Sequence, residues 1–96
     1  MENQLDTVKI NNICQQNGIS YLGLFGSFAR GDFTPTSDVD LLVDYKDVPS
    51  LLEKGKIINQ FQDLFKRDID LVSRKNIKER LKPYILKDLK VIYEER

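Results

Sequence analysis

The stretch that decides the fold is LFGSFARGDFTPTSDVDLLVDY, residues Leu24–Tyr45. It contains the pair Gly26-Ser27, then ten further residues, then Asp38-Val39-Asp40. One apolar run precedes the glycine, and a second follows the two aspartates. Short apolar runs bounded by glycine and polar residues are typical of buried strands. The stretch therefore predicts a strand, a tight glycine turn, a short helical or irregular connection, and a second strand that begins with two carboxylates.

The two aspartates are expected to project from the same face of that second strand, because side chains alternate along a strand. Asp38 and Asp40 then lie about 6–7 Å apart, which is twice the rise per residue. Two unpaired carboxylates at that distance repel by about 2.5–3 kcal/mol when the effective dielectric constant is near 20. A bound cation relieves this repulsion, and oxygen ligands of this kind suit Mg²⁺, which also takes water and substrate phosphates as ligands.

The turn at Gly26-Ser27 is expected to bind an anion. Glycine lets backbone N–H groups approach a phosphate closely, and the hydroxyl of Ser27 adds another donor. The turn would thus supply the other half of a phosphate site, next to the two carboxylates.

These motifs resemble the signature of the DNA polymerase β-like nucleotidyltransferases. The spacing of Gly26-Ser27 and Asp38-x-Asp40, with Ala29-Arg30-Gly31 after the serine, is most similar to the minimal nucleotidyltransferases that occur as MntA-type antitoxins beside HEPN-domain toxins. The resemblance extends over nearly the whole chain. It implies a single α/β (α+β) domain over residues 1–96, in which helices pack on a small mixed β-sheet of about three strands.

The resemblance also implies a third carboxylate, which in this family lies on the strand after the long helix. Asp70, followed by Leu71 and Val72, fits that position, and Asp68 at the entry of the same strand is the alternative. The catalytic and metal-binding residues implied in this way are Asp38, Asp40 and Asp70, which are expected to hold two Mg²⁺ ions.

The residues expected to bind the phosphates of the nucleotide are Gly26, Ser27 and Arg30. For Arg30, a surface position with a local ion pair near Asp32 is an equally good interpretation.

The function that the resemblance implies is that of an antitoxin enzyme. It would transfer AMP from ATP to a tyrosine hydroxyl of a HEPN ribonuclease toxin and so neutralise it in a hetero-oligomer. A non-catalytic antitoxin that binds a nucleotide and blocks the toxin by forming a complex is the first alternative. A small-molecule nucleotidyltransferase of the antibiotic-modifying kind is the second.

Composition excludes several other classes of chemistry. Lysine plus arginine and aspartate plus glutamate both total 15, so there is no basic excess that would hold nucleic acid directly. The chain has no histidine and one cysteine, Cys14, which excludes a histidine base, an internal disulfide and a cysteine-based zinc site. The N-terminus has no apolar signal core and no segment reaches membrane-spanning length, so a cytoplasmic location is expected.

Apolar spacing and the positions of Gly, Pro and Ser predict the remaining elements. These are a helix over about Asn3–Gln16, strands over Ser20–Phe25, Val39–Tyr45 and Asp68–Val72, a helix capped by Ser50 that runs to about Lys66, and a helical tail from about Asn76. Pro83 is expected to begin a fresh helix in the tail, with Ile85, Leu89 and Ile92 as its inward stripe.

A basic cluster lies near the third strand and consists of Lys66, Arg67, Arg74, Lys75, Lys78, Arg80 and Lys82. A solvated helix face is the first interpretation of this cluster. A docking surface or a funnel for the triphosphate is the alternative.

Overall fold

The computed structural model of the chain describes residues 6–95. Helices and strands follow one another in a mixed order along this part of the chain. The helices are α1 (Thr7–Gln16), α2 (Gly26–Arg30), α3 (Leu51–Phe65) and α4 (Lys82–Asp88). The strands are β1 (Ile19–Phe25), β2 (Val39–Tyr45), β3 (Ile69–Ser73) and β4 (Lys90–Glu94). The predicted α/β class is confirmed.

The four strands form one mixed sheet in the order β3-β2-β1-β4. Strand β1 is antiparallel to both β2 and β4, whereas β3 is parallel to β2. The sheet thus has one strand more than the three that the sequence predicts. The antiparallel pair brings the C-terminal end of β1 beside the N-terminal end of β2, and the parallel pair adds the N-terminal end of β3 to the same edge.

The additional strand replaces the end of the helix predicted to begin at Pro83, so the prediction of a helical tail is wrong after residue 88. Helix α4 begins with Pro83 in its first turn, as predicted, but it ends at Asp88. Leu89 is extended, with φ −64° and ψ 128°, and β4 then pairs with β1. The residues predicted to form one apolar helix face therefore lie in two elements, because Ile85 belongs to α4 and Ile92 to β4.

Two apolar cores lie on the two faces of the sheet. The larger core joins α1 and α3 to the odd-numbered residues of β2, Val39, Leu41 and Val43. The smaller core lies beneath α4 and consists of Tyr21, Leu42 and Ile85. Because side chains alternate along β2, Asp40 projects from the same face as Leu42. The end of β2 therefore carries one carboxylate over the smaller core.

Local capping fixes the ends of the two longest helices. Asp6 caps α1 by accepting a hydrogen bond from the Lys9 backbone N–H at 3.2 Å, and the predicted earlier start at Asn3 lies outside the described residues. Ser50 and Glu53 form the predicted capping box of α3, in which each side chain accepts from the other residue's backbone N–H. Lys66 ends α3 in the left-handed region at φ 59°.

Candidate active site

Asp40 and Asp70 are directly opposite each other in the parallel pair of β2 and β3. Residues opposite one another in adjacent strands project from the same face of the sheet, so the two carboxylates are neighbours. Asp38 lies just before β2, within electrostatic range of Asp40. Hence the structure brings the three predicted carboxylates to one edge of the sheet.

Gly26 occupies the turn between β1 and α2, opposite this carboxylate group. Its φ of +75° lies in the region that favours glycine, and Phe25 before it is fully extended. A Cβ atom at position 26 would overlap Oδ2 of Asp40. Gly26 therefore has two requirements: the turn needs a left-handed backbone, and the close approach of Asp40 leaves no room for a side chain.

Ser27 is half-buried in the first turn of α2. Its carbonyl oxygen accepts hydrogen bonds from the backbone N–H groups of Gly31 at 3.0 Å and Asp32 at 3.2 Å. Those bonds end the helix at Gly31, whose φ of +86° is left-handed. The short helix thus holds Ser27 close to the Gly26 turn and next to the carboxylates.

The environment of Asp40 raises the pKa of its carboxyl from 3.8 to about 6. Burial is the largest cause, followed by the negative charges of Asp70 and Asp38 and a hydrogen bond with Asp70, while Arg30 acts in the opposite direction. The ionised form of Asp40 is therefore destabilised in the protein without a ligand. A cation bound to these carboxylates would relieve that destabilisation.

Arg30 lies at the end of α2 and links it to α4. Its Nη1 donates to Asp88 at 2.7 Å and its Nε donates to Asp32 at 3.1 Å. The predicted local ion pair is therefore present, and a second pair with Asp88, which is distant in sequence, accompanies it. The guanidinium group is also near enough to Asp40 to lower the pKa of that carboxyl. Its role in phosphate binding stays a prediction.

The geometry favours Asp70 over Asp68 as the third carboxylate. Asp68 precedes β3, and its carbonyl oxygen accepts a hydrogen bond from the Val39 N–H at 2.9 Å. Its side chain lines a polar cavity of about 410 Å³ together with Asp38, whereas Asp70 is the residue opposite Asp40.

The carboxylates of Asp38, Asp40 and Asp70 are the kind of ligand that binds a divalent cation. Carboxylate oxygens are the ligands that Mg²⁺ prefers. Burial and the charges of Asp70 and Asp38 raise the pKa of Asp40, and a bound cation would favour its ionised form. Within residues 6–95, no three histidine, cysteine, aspartate or glutamate side chains already stand close enough together to hold an ion. The predicted set of Asp38, Asp40 and Asp70 thus stays a prediction.

Comparison with known families identifies the chain. The family model for "Polymerase beta, Nucleotidyltransferase" matches residues 8–96. The chain belongs to the polymerase β nucleotidyltransferase family. This nucleotidyltransferase is 33% identical over 72 residues to the protein adenylyltransferase MntA of Thermococcus cleftensis. That match covers 75% of this chain and 73% of the relative.

Solved structures with the same fold support the assignment. In a crystal structure of a toxin–antitoxin with AMP-PNP, one chain matches this nucleotidyltransferase with a TM-score of 0.76 at 20% identity, covering 95% of this chain and 75% of that one. A second match, to the tri-AMPylated Shewanella oneidensis HEPN toxin in complex with MNT antitoxin, has a TM-score of 0.68 at 20% identity. It covers 96% of this chain and 72% of that one. At 20% sequence identity, the similarity to these two structures establishes the fold alone.

The family assignment confirms that the protein is a minimal nucleotidyltransferase. The helices described in residues 6–95 are all too short or too polar to cross a lipid bilayer.

The structure also identifies a residue that the sequence does not single out, because Arg67 contacts the loop that leads to Asp38. No sequence signal distinguishes Arg67 from the other basic residues around it.

Proposed function

We propose that this nucleotidyltransferase transfers AMP from ATP to a tyrosine hydroxyl of a HEPN-domain toxin and thereby acts as its antitoxin in the cytoplasm. The observation that carries the proposal is the pairing of Asp40 with Asp70 beside the Gly26 turn. It brings carboxylates and a glycine turn suited to a phosphate together in a chain of the nucleotidyltransferase family.

The residues that would hold Mg²⁺ are Asp38, Asp40 and Asp70, and two ions are expected. When bound, the metal neutralises phosphate charge and lowers the pKa of the attacking hydroxyl.

The chain's own groups would bind and orient the nucleotide. Backbone N–H groups at the Gly26 turn and the hydroxyl of Ser27 would donate hydrogen bonds to the phosphates. Arg30 would add a charged donor after leaving one of its two carboxylate partners. The absence of a side chain at Gly26 leaves the Asp40 carboxylate room beside the turn.

The transfer is a displacement at the α-phosphorus. The tyrosine oxygen forms a bond to that phosphorus, and the bond to the bridging oxygen breaks, so that pyrophosphate leaves with the electron pair. The phenolic proton passes to Asp70, which is exposed and therefore accessible to an acceptor group. No histidine is needed as the base, which agrees with the composition of the chain.

Relatives support the choice of acceptor. The similar protein of Thermococcus cleftensis is named a protein adenylyltransferase, and the Shewanella oneidensis complex contains an AMPylated HEPN toxin with an MNT antitoxin. A protein acceptor also agrees with the balanced charge of this chain, which provides no excess for binding nucleic acid.

The test is the intact mass of the adjacent gene's product, which the proposal expects to be a HEPN-domain protein, after incubation with this chain, ATP and MgCl₂. We expect a gain of one or more adenylyl groups on tyrosine, which is lost with Asp38→Asn or Asp40→Asn. Circular dichroism of each variant serves as the control for folding. An unchanged mass in a stable complex of the two proteins would contradict the proposal and favour the non-catalytic antitoxin.

The double variant Asp38→Asn/Asp40→Asn separates the two kinds of antitoxin in cells. If transfer neutralises the toxin, the variant fails to protect growth although it still binds the toxin. Full protection by the variant would show that catalysis is dispensable.

A further inference from the structure

The loop after α2, residues 31–37, leads to Asp38 and is largely exposed. Residues 31–36 are exposed, and the loop closes on itself through a hydrogen bond from the Thr34 N–H to Oγ of Ser37 at 2.8 Å and one from the Ser37 N–H to the Thr34 carbonyl at 3.1 Å. Such a short polar turn does not by itself fix the position of the next residue. A contact from outside the loop is needed to place Asp38.

Arg67 provides that contact. Its Nη1 donates to the carbonyl oxygen of Thr34 at 2.7 Å and to that of Ser37 at 3.1 Å. Both bonds come from one nitrogen, so what distinguishes the guanidinium group from the ammonium group of lysine here is its planar shape, which can also lie over ring faces. One side chain thus holds both ends of the turn that precedes Asp38.

The same guanidinium group rests on two aromatic rings. Its central carbon lies 4.8 Å from the centroid of the Phe33 ring and 5.4 Å from that of Phe28. The rings themselves are stacked with centroids 4.5 Å apart, and Phe28 is buried in the larger core. Contacts of a cation with aromatic faces are attractive and directional. They connect the loop, through Arg67, to the core beneath α2.

Arg67 and its neighbour fix the backbone on both sides of Asp38. Arg67 binds the carbonyl oxygen of Ser37, and the carbonyl oxygen of Asp68 accepts the N–H of Val39 at 2.9 Å. The turn at Lys66, with φ 59°, ends α3 and directs the next residue towards the loop. The sequence-based interpretation of Arg67 as part of a solvated helix face is therefore wrong, because it lies beyond the helix and is half-buried.

We propose that Arg67 is a positioning residue of the transfer reaction. By holding the carbonyl oxygens of Thr34 and Ser37, it presents the Asp38 carboxylate beside Asp40 and Asp70. This proposal rests on the proposed function in one respect, since Asp38 is assigned there as a metal ligand. Displacement of a reacting or ligating group by about 1 Å reduces turnover by up to about 100-fold.

The test compares Arg67→Ala with Arg74→Ala. Arg74 is the matched control, because its guanidinium carbon also lies over an aromatic ring, 4.1 Å from the centroid of Tyr21, whereas Tyr21 belongs to the smaller core. Hydrogen–deuterium exchange of the backbone amides of residues 33–39 is measured without metal or nucleotide. We expect exchange at least about tenfold faster in Arg67→Ala and no change in Arg74→Ala.

Kinetics supply the second readout. In Arg67→Ala, we expect turnover with the acceptor protein to fall by about 10- to 100-fold, and the MgCl₂ concentration for half-maximal rate to rise several-fold. Arg67→Lys keeps the charge but not the planar group, so it should recover less than half of the lost rate. If Arg67→Ala does not fold, Arg67→Lys against Arg74→Lys carries the same comparison.

Three results would overturn the proposal. These are unchanged exchange in residues 33–39, faster exchange with unchanged kinetics, and an equal loss of rate in the Arg74 variant. A wild-type protein without transferase activity would instead reject the proposed function, and unchanged exchange in Arg67→Ala would then still reject Arg67 as the residue that orders the loop.

Discussion

The Asp40 carboxylate lies against the α-carbon of Gly26, in the space that a side chain at position 26 would occupy. The contact joins the two motifs of the sequence, the glycine turn after β1 and the aspartate pair at the start of β2. Residue 25 is opposite residue 40 in the antiparallel pair, so the strand register itself sets this distance. The proximity of the Gly26 turn to the carboxylates is thus a property of the sheet.

Gly26→Ala is therefore expected to impair both stability and transfer. The left-handed backbone and the overlap with Asp40 together should lower the free energy of unfolding by about 2–4 kcal/mol, and the displaced carboxylate should reduce turnover by at least about 100-fold. The measurements are urea denaturation and the AMP-transfer rate.

Gly31→Ala is the matched control for this variant. Gly31 also has a positive φ, +86°, but a Cβ atom there meets nothing within 4 Å. We expect it to cost about 1–2 kcal/mol in stability through backbone strain alone, with little change in turnover. Equal losses of turnover in both variants would show that the contact with Asp40 is unimportant.

Asp40→Asn should abolish transfer and yet stabilise the metal-free protein above about pH 6. The folded pKa of about 6 exceeds the ordinary value of 3.8, so the folded state binds more protons than the unfolded state between these values and stability falls as pH rises through this range. The full shift corresponds to about 3 kcal/mol, and because the group is partly solvated we expect a gain of about 1–2 kcal/mol.

Thermal denaturation with a chelator at about pH 4.5 and pH 8 measures this effect, which should be markedly larger at the higher pH. Asp63→Asn, which removes an exposed carboxylate from α3, is the control. MgCl₂ should raise the melting temperature of the wild type and not that of Asp40→Asn. A variant less stable than the wild type at the higher pH would contradict the prediction.

Arg30→Gln should raise the KM for ATP by about tenfold, because it removes a charged donor next to the Gly26 turn. Asp88→Asn is expected to have the opposite effect or none. It removes the 2.7 Å ion pair with Arg30, so the KM for ATP should stay unchanged or fall. Initial rates at varied ATP concentration with fixed acceptor protein provide the measurement. If Arg30→Gln leaves the KM for ATP as it is, the residue only connects α2 to α4.

Cys14 should be unreactive in the folded protein. Burial, with a smaller contribution from the charge of Glu95, raises the pKa of its thiol to about 12, so the thiolate is scarce at neutral pH. Labelling by iodoacetamide at about pH 8 should be complete in denaturant and very slow in buffer. Rapid labelling of the native protein would show that α1 opens locally from the larger core.

Much of the fold could be predicted because its signals are local. The bounds of β2 agree with the prediction, and Ser50 and Glu53 cap α3 as their spacing indicates. Strand β4 was missed because Ile85, Leu89 and Ile92 suit a helical stripe as well as a helix followed by a strand. What decides between them is pairing with β1, a contact with residues about 70 positions earlier in the chain.

In the candidate site, too, some features follow from local sequence and others from contacts between distant residues. The sequence by itself determined the candidate residues Gly26, Ser27, Asp38 and Asp40, because they lie in one short stretch whose spacing and alternation depend only on local backbone geometry. Only the tertiary structure decided that Asp70 rather than Asp68 faces Asp40, that Arg30 binds Asp88, and that Arg67 holds the loop before Asp38. Those relationships depend on strand register and on how the helices pack against the sheet, which bring together residues that are distant in sequence.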